Sequence, residues 1–106
     1  MAFHVMHRMG NMESNPPLES LRDLLAELDP ADTEHVDVAV EHESGWCLSA
    51  RLEGILTWEN VEEDGPPPRH LTKVPAEKIL ELWTRLARGD LAAVESEPWR
   101  PGYGPS

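Results

Sequence analysis

Along residues 74–90, VPAEKILELWTRLARGD, the apolar positions recur at helical spacing: Ile79, Leu80, Leu82, Trp83, Leu86 and Ala87 share one face, and Glu77, Lys78, Glu81, Thr84, Arg85 and Arg88 the other. This spacing predicts an amphipathic helix. Its ends are marked accordingly, with Pro75 in the first turn, Glu77 near the positive end of the dipole, Arg85 and Arg88 near the negative end, and Gly89 as the left-handed residue that closes it. A second, shorter helix is predicted after Asn15 as cap and Pro16 in the first helical position. It carries a narrow stripe of Leu18, Leu21, Leu24, Leu25 and Leu28 and stops at Asp29 and Pro30.

From His35 the period changes from helical to two. Val36, Val38 and Val40 alternate with Asp37, Ala39 and Glu41; after Glu43, Ser44 and Gly45, the alternation resumes with Trp46, Leu48, Ala50 and Leu52 against Cys47, Ser49, Arg51 and Glu53. A three-residue loop ending in glycine fits a type I turn with a bulge. The register that follows pairs His42 with Trp46, Val40 with Leu48, Val38 with Ala50 and Val36 with Leu52, which puts the large apolar side chains on one face. The third strand, 55–61, has two readings. A two-residue Glu53-Gly54 turn sends Leu56 and Trp58 to the face opposite Trp46 and leaves Trp58 exposed beside Cys47 and Ser49, a candidate binding surface. A three-residue loop ending at Ile55 keeps them on the same face. Hydrophobic pattern favours the second reading and turn chemistry the first.

Glu62, Glu63, Asp64, Gly65 and Pro66 to Pro68 form a charged, stiff connector, after which residues 69–74 can add a short fourth strand at an edge. Asp90 can cap one further helical turn through Val94. The predicted fold is therefore α+β: an antiparallel sheet of three to four strands with two helices packed on one face, in the order α-β-β-β-(β)-α. Residues 1–14, with Met1, Met6, Met9 and Met12 as alternative starts, are expected to be disordered, 15–98 to form a single domain, and 99–106 to be an extended tail. In that tail Trp99 and Tyr103 are expected to clip the chain to the domain.

Charge changes this picture more than length does. The 106 residues carry a net charge of −11, and it is placed unevenly: from Glu13 to Asp64 fifteen acidic residues stand against two basic ones, whereas from Gly65 onward five stand against six. A field of this sign repels nucleic-acid phosphates and anionic lipid and attracts cationic partners. Cys47, the single cysteine, excludes an intramolecular disulfide framework, so a reducing cytoplasm is the simplest compartment. There is no run of apolar residues long enough to span a bilayer and no signal-peptide core.

Catalytic and cofactor motifs are missing. His35 and His42 point to opposite strand faces, His4 and His7 lie in the N-terminal segment and His70 stands alone, so no three or four histidines converge as zinc requires. Cys47 sits among acids, whereas a reactive thiol needs an electropositive setting. The run Glu59, Glu62, Glu63, Asp64 ahead of prolines reads as a solvated loop. No glycine-rich phosphate loop and no basic patch with interleaved aromatics occurs. A non-enzymatic protein without cofactor is expected.

The acidic composition, the meander over residues 36–61, the helix ILELWTRLARGD and the closing EPW together resemble the layout of small bacterial immunity proteins of the Imm1 kind, over residues 36–99. That resemblance implies a protein that neutralises a cognate toxin by covering its active site, and a toxin with a cationic cleft suits the charge. The partner-binding candidates are Asp37, Glu41, Glu53 and Glu59 on the polar sheet face, with Glu62, Glu63 and Asp64 from the loop. Two other readings stand beside it. One is a self-associating regulatory or structural protein, a homodimer across a strand edge or the free sheet face. The other is a small-ligand binder with a pocket between Trp46, Trp58 and Trp83.

Overall fold

The computed structural model describes residues 3–32, 34, 37–62 and 65–103. Seven strands form one antiparallel sheet: β1 (Phe3–Met6), β2 (Met12–Ser14), β3 (Asp37–His42), β4 (Trp46–Arg51), β5 (Ile55–Asn60), β6 (Arg69–Leu71) and β7 (Arg100–Pro101), in the spatial order β2-β1-β3-β4-β5-β6-β7. Three helices accompany it, α1 (Leu21–Ala26), α2 (Ala76–Ala87) and α3 (Leu91–Glu95). Among the described residues no helix is long and apolar enough to cross a membrane.

The expected sheet of three to four strands is therefore corrected to seven. Two of the added strands come from residues 3–14, expected to be disordered, and one from the tail. Phe3 and Val5 alternate with His4 and Met6, and Val5 pairs with Val40 and Phe3 with His42, so both side chains join the core. Without β1, strand β3 would present a row of unpaired backbone groups at the sheet edge. At the other side β7 covers β6, pairing Arg69 with Pro101 and His70 with Arg100, so the predicted edge strand becomes an internal one.

The central hairpin follows the alternation. Val40 pairs with Leu48 and Val38 with Ala50, while Val36, expected opposite Leu52, lies outside the described residues. Gly45 takes φ +93 in the three-residue turn. β5 then pairs Leu48 with Trp58 and Ala50 with Leu56, so Leu56 and Trp58 share the face of Leu48. The loop has three residues, Leu52–Gly54, one position earlier than the sequence suggested. Gly54 is required there because a Cβ would lie 2.4 Å from the carbonyl oxygen of Val74, whose N–H donates to the Gly54 carbonyl at 3.0 Å.

The first helix starts later than expected. Asn15 does not cap it; it takes a left-handed φ of +48, and its Oδ1 accepts from the N–H of Phe3 at 3.0 Å, tying β1 down. A 3-10 turn, Leu18–Ser20, leads into α1, and Leu21 and Leu24 are its buried residues. α2 buries Ile79, Leu82, Trp83, Leu86 and Ala87, as its stripe requires, and Gly89 closes it by donating to the Leu86 carbonyl. Asp90 caps α3, accepting from the N–H of Ala93.

All three helices contribute to one core, in which Val38, Val40, Leu48, Ala50, Leu56 and Trp58 of the sheet meet the apolar sides of α1 and α2. Trp83 is fully buried, and its indole N–H donates to the Leu48 carbonyl at 2.9 Å. Trp83→Ala is expected to cost about 3 to 5 kcal/mol in urea unfolding. Deleting residues 1–14 removes Phe3 and Val5 from the core, at about 1.5 to 3 kcal/mol for each side chain. A truncated chain as stable as the full one would show that β1 adds nothing to the core.

Candidate functional site

Because strand residues alternate, the side chains opposite the core fall together on the sheet's open face: His4 and Met6 of β1, Asp37, Ala39 and Glu41 of β3, Cys47, Ser49 and Arg51 of β4, and Thr57 and Glu59 of β5. Part of this face is crossed by the tail. The Tyr103 carbonyl accepts from Thr57 Oγ1 at 3.2 Å and from Arg51 Nη2 at 3.4 Å. What stays open is a cleft of about 290 Å³ whose lining includes Met6, Arg8, Asp37, Cys47, Glu59 and Val61.

Cys47 lies at the floor of this cleft, buried. Burial pushes its thiol up to about 12, and the negative charges of Glu41, Glu59 and Asp37 act in the same direction. The carboxyl of Glu59 is held above its ordinary range, chiefly by burial and then by repulsion from Asp37. His4 Nε2 lies 3.7 Å from a carboxylate oxygen of Glu41. The Arg8 guanidinium at the cleft wall pairs with Asp32. The arrangement therefore keeps the thiol protonated and unreactive, and it concentrates negative charge around a partly apolar depression.

Three of the seven sequence-predicted residues, Asp37, Glu41 and Glu59, thus converge on one thiol. Glu53 does not join them. It occupies the β4–β5 turn in a left-handed conformation and lines a separate cavity with Asp29, Asp32 and Arg51. Glu62 lies past β5, where its side chain covers Gly45 closely enough that a Cβ there would meet Glu62 Cγ at 2.6 Å. Glu63 and Asp64 fall outside the described residues. Met6 and Arg8 were missed; the alternation of Phe3, His4, Val5 and Met6 was the signal, too short to stand out from its polar flanks.

The tryptophans do not form the ligand pocket that the third reading placed between Trp46, Trp58 and Trp83. Trp46 stacks on Trp58 with centroids 4.5 Å apart, and Trp99 stacks on the Trp58 ring at 6.0 Å. A shallow depression of about 470 Å³ borders this column, lined by Trp46, Trp58, Pro66, Arg69, Leu91 and Glu95, while Trp83 lies in the core. Glu95 accepts from the Trp58 indole N–H at 2.7 Å and pairs with Arg69. The Arg69 bond foremost, and the Trp58 bond with it, hold its carboxyl below the usual range against the opposing effect of burial. Trp99 also donates to the Val94 carbonyl at 2.8 Å, so its ring clips the tail. The Tyr103 ring is exposed, and its main chain makes the contact instead.

Among the described residues no group of three His, Cys, Asp or Glu side chains could hold a metal ion. Comparison with protein-family models, with curated proteins and with solved structures finds no match for this chain.

Two outcomes follow from the cleft's electrostatics. With its thiol at about 12, Cys47 should react with a disulfide reagent near neutral pH roughly a thousandfold more slowly than an exposed cysteine. Glu59 carries a folded-state value above its unfolded one, so its charge opposes folding at neutral pH, and that opposition fades as pH falls through the raised value. Glu59→Gln should therefore stabilise the fold at neutral pH by no more than about 0.5 kcal/mol, because solvent screens much of the repulsion, and the gain should shrink in mild acid, as read by thermal unfolding.

Proposed function

We propose that this chain is a non-enzymatic protein-binding module whose open sheet face takes a cationic segment of a partner. The observation that carries the reading is the Asp37 and Glu59 pair, two carboxylates on one cleft whose mutual repulsion helps hold Glu59 above its ordinary range. A lysine or arginine side chain placed between them relieves that repulsion, and Met6, Ala39 and Val61 in the same cleft offer apolar surface to its methylene stem. The net charge of −11 adds long-range attraction for the same class of partner and speeds encounter. A bacterial toxin with a cationic cleft is the specific partner that the resemblance to immunity proteins implies, and the lone Cys47 suits a cytoplasmic setting.

Self-association is the second reading, supported by the outer edge of β2. This strand lies at the end of the sheet, and Met12 within it and Met9 just before it are exposed. Two copies pairing by this edge would bring two charges of −11 together, which favours a cationic partner over a second copy.

The two readings separate on charge variants. The full chain should bind a lysine-rich peptide with an affinity that falls as salt rises, and Glu59→Lys or Asp37→Lys should weaken it about tenfold or more, the scale of one desolvated charge pair. Glu62→Lys changes the net charge equally but is not among the residues that line the cleft, so it should leave most of the affinity intact. Equal losses for Glu59→Lys and Glu62→Lys would reduce the attraction to bulk charge and sink the cleft as its site. A salt-insensitive dimer in sedimentation, dissolved by Met12→Lys, would favour the second reading.

A further inference from the structure

The turn of the N-terminal hairpin forms one wall of the cleft, His7, Arg8 and Gly10 lying along its rim, and it is attached there by charge. Its internal bonds, His7 N–H to Asn11 carbonyl at 2.8 Å and Gly10 N–H to His7 carbonyl at 2.9 Å, shape the turn without fastening it to the body of the protein. Fastening comes from the end of α1 and the loop beyond. His7 Nδ1 lies 2.6 Å from Glu27 Oε2, the Arg8 main-chain N–H donates to the other oxygen of that carboxylate at 2.9 Å, and the Arg8 guanidinium pairs with Asp32. On its other side His7 Nε2 lies 3.1 Å from Glu13 Oε1 of β2.

An ionised carboxylate only accepts hydrogen bonds, and a neutral imidazole has a single N–H. A ring set between two carboxylates can therefore satisfy both only as imidazolium. We propose that this turn is a pH-operated wall of the cleft beside Cys47: the His7 imidazolium ties Glu13 of β2 to Glu27 at the end of α1, and the tie opens on one side when the ring loses a proton.

The charges around the ring agree on the direction. Glu27 faces it from the end of α1 and Glu13 from β2; Arg8, its neighbour, is occupied by Asp32; Asp37 and Glu59 stand across the cleft. The bond to Glu27 foremost, with that to Glu13, raises the imidazole above its ordinary 6.5 against the opposing effect of burial. A value raised in the folded state gives a clamp that is fully present below about 6.5 and fades as pH rises through the elevated value. The tie thus opens above the ordinary range of histidine, the side chain suited to such a change. Opening the tie loosens the wall beside Cys47 whatever partner the cleft takes, so the device does not depend on the binding reading above.

Cys47 serves as the reporter. Its labelling by a disulfide reagent is compared between the unaltered chain and His7→Ala across about pH 6 to 9, since the ratio of the two rates cancels the ionisation of the thiol common to both. The intact protein should label about tenfold more slowly than His7→Ala near pH 6, the factor set by one charge-assisted hydrogen bond, and the ratio should approach one in the alkaline range. A ratio that does not move with pH overturns the proposal, as does a His7 ring that titrates at or below its ordinary value in NMR. Glu13→Gln supplies a second test in case His7→Ala does not fold. It keeps an acceptor but loses the charge, so it should lower the His7 value and move release to lower pH; an unchanged release overturns the proposal as well.

Discussion

Everything in this fold depends on covering one apolar sheet face with one amphipathic helix. Val38, Val40, Leu48, Ala50, Leu56 and Trp58 would otherwise stand exposed side by side, and α2 brings Ile79, Leu82, Trp83 and Leu86 onto them. Trp83 is the join. Its ring fills the core, and its N–H meets the Leu48 carbonyl, so a buried polar atom on the helix finds its partner in the central hairpin. In an apolar interior such a bond matters most when it is missing, because an indole N–H left without an acceptor would carry its full desolvation cost.

Covering one face determines the character of the other. With all three helices on the core side, the alternation that sends valines and leucines inward sends Asp37, Glu41 and Glu59 outward around Cys47. The charge on that face is thus concentrated by the same period of two that builds the core. A thiol among three carboxylates is chemically quiet, and the surrounding field suits attraction of a cation better than nucleophilic chemistry.

The sheet's flanks are secured by short, distant segments. β1 pairs with β3 across more than thirty residues of chain, and β7 reaches β6 from the tail. Each is too short to persist alone, and each is held by specific anchors: Asn15 on the Phe3 N–H and the His7 and Arg8 pairs for the hairpin, the Trp99 stack and its bond to Val94 for the tail. Charged anchors on one flank and aromatic anchors on the other give the two ends different sensitivities to pH and salt.

Local pattern was enough for the elements whose period repeats. The stripe of α2, the Gly45 turn, the pairing of Val38 and Val40 with Ala50 and Leu48, and the Asp90 cap were all legible, because each rests on neighbours in sequence and on turn chemistry. The polar face was legible for the same reason, which is why Asp37, Glu41 and Glu59 could be placed on one side of the sheet. Tertiary structure alone decided the rest. Four residues of alternation in Phe3–Met6 do not reveal a strand until β3 offers an edge to pair with, and the Arg100–Pro101 segment becomes β-structure only beside β6. The β4–β5 loop had two workable chemistries, and the choice fell to the burial of Leu56 and Trp58 and to the close approach of Gly54 and Val74. Whether a carboxylate belongs to the cleft depended likewise on where the chain carries it. Glu53 and Glu62 look like their neighbours in sequence, but turns aim them elsewhere, whereas residues on adjacent strands share a face through the sheet's own hydrogen bonds.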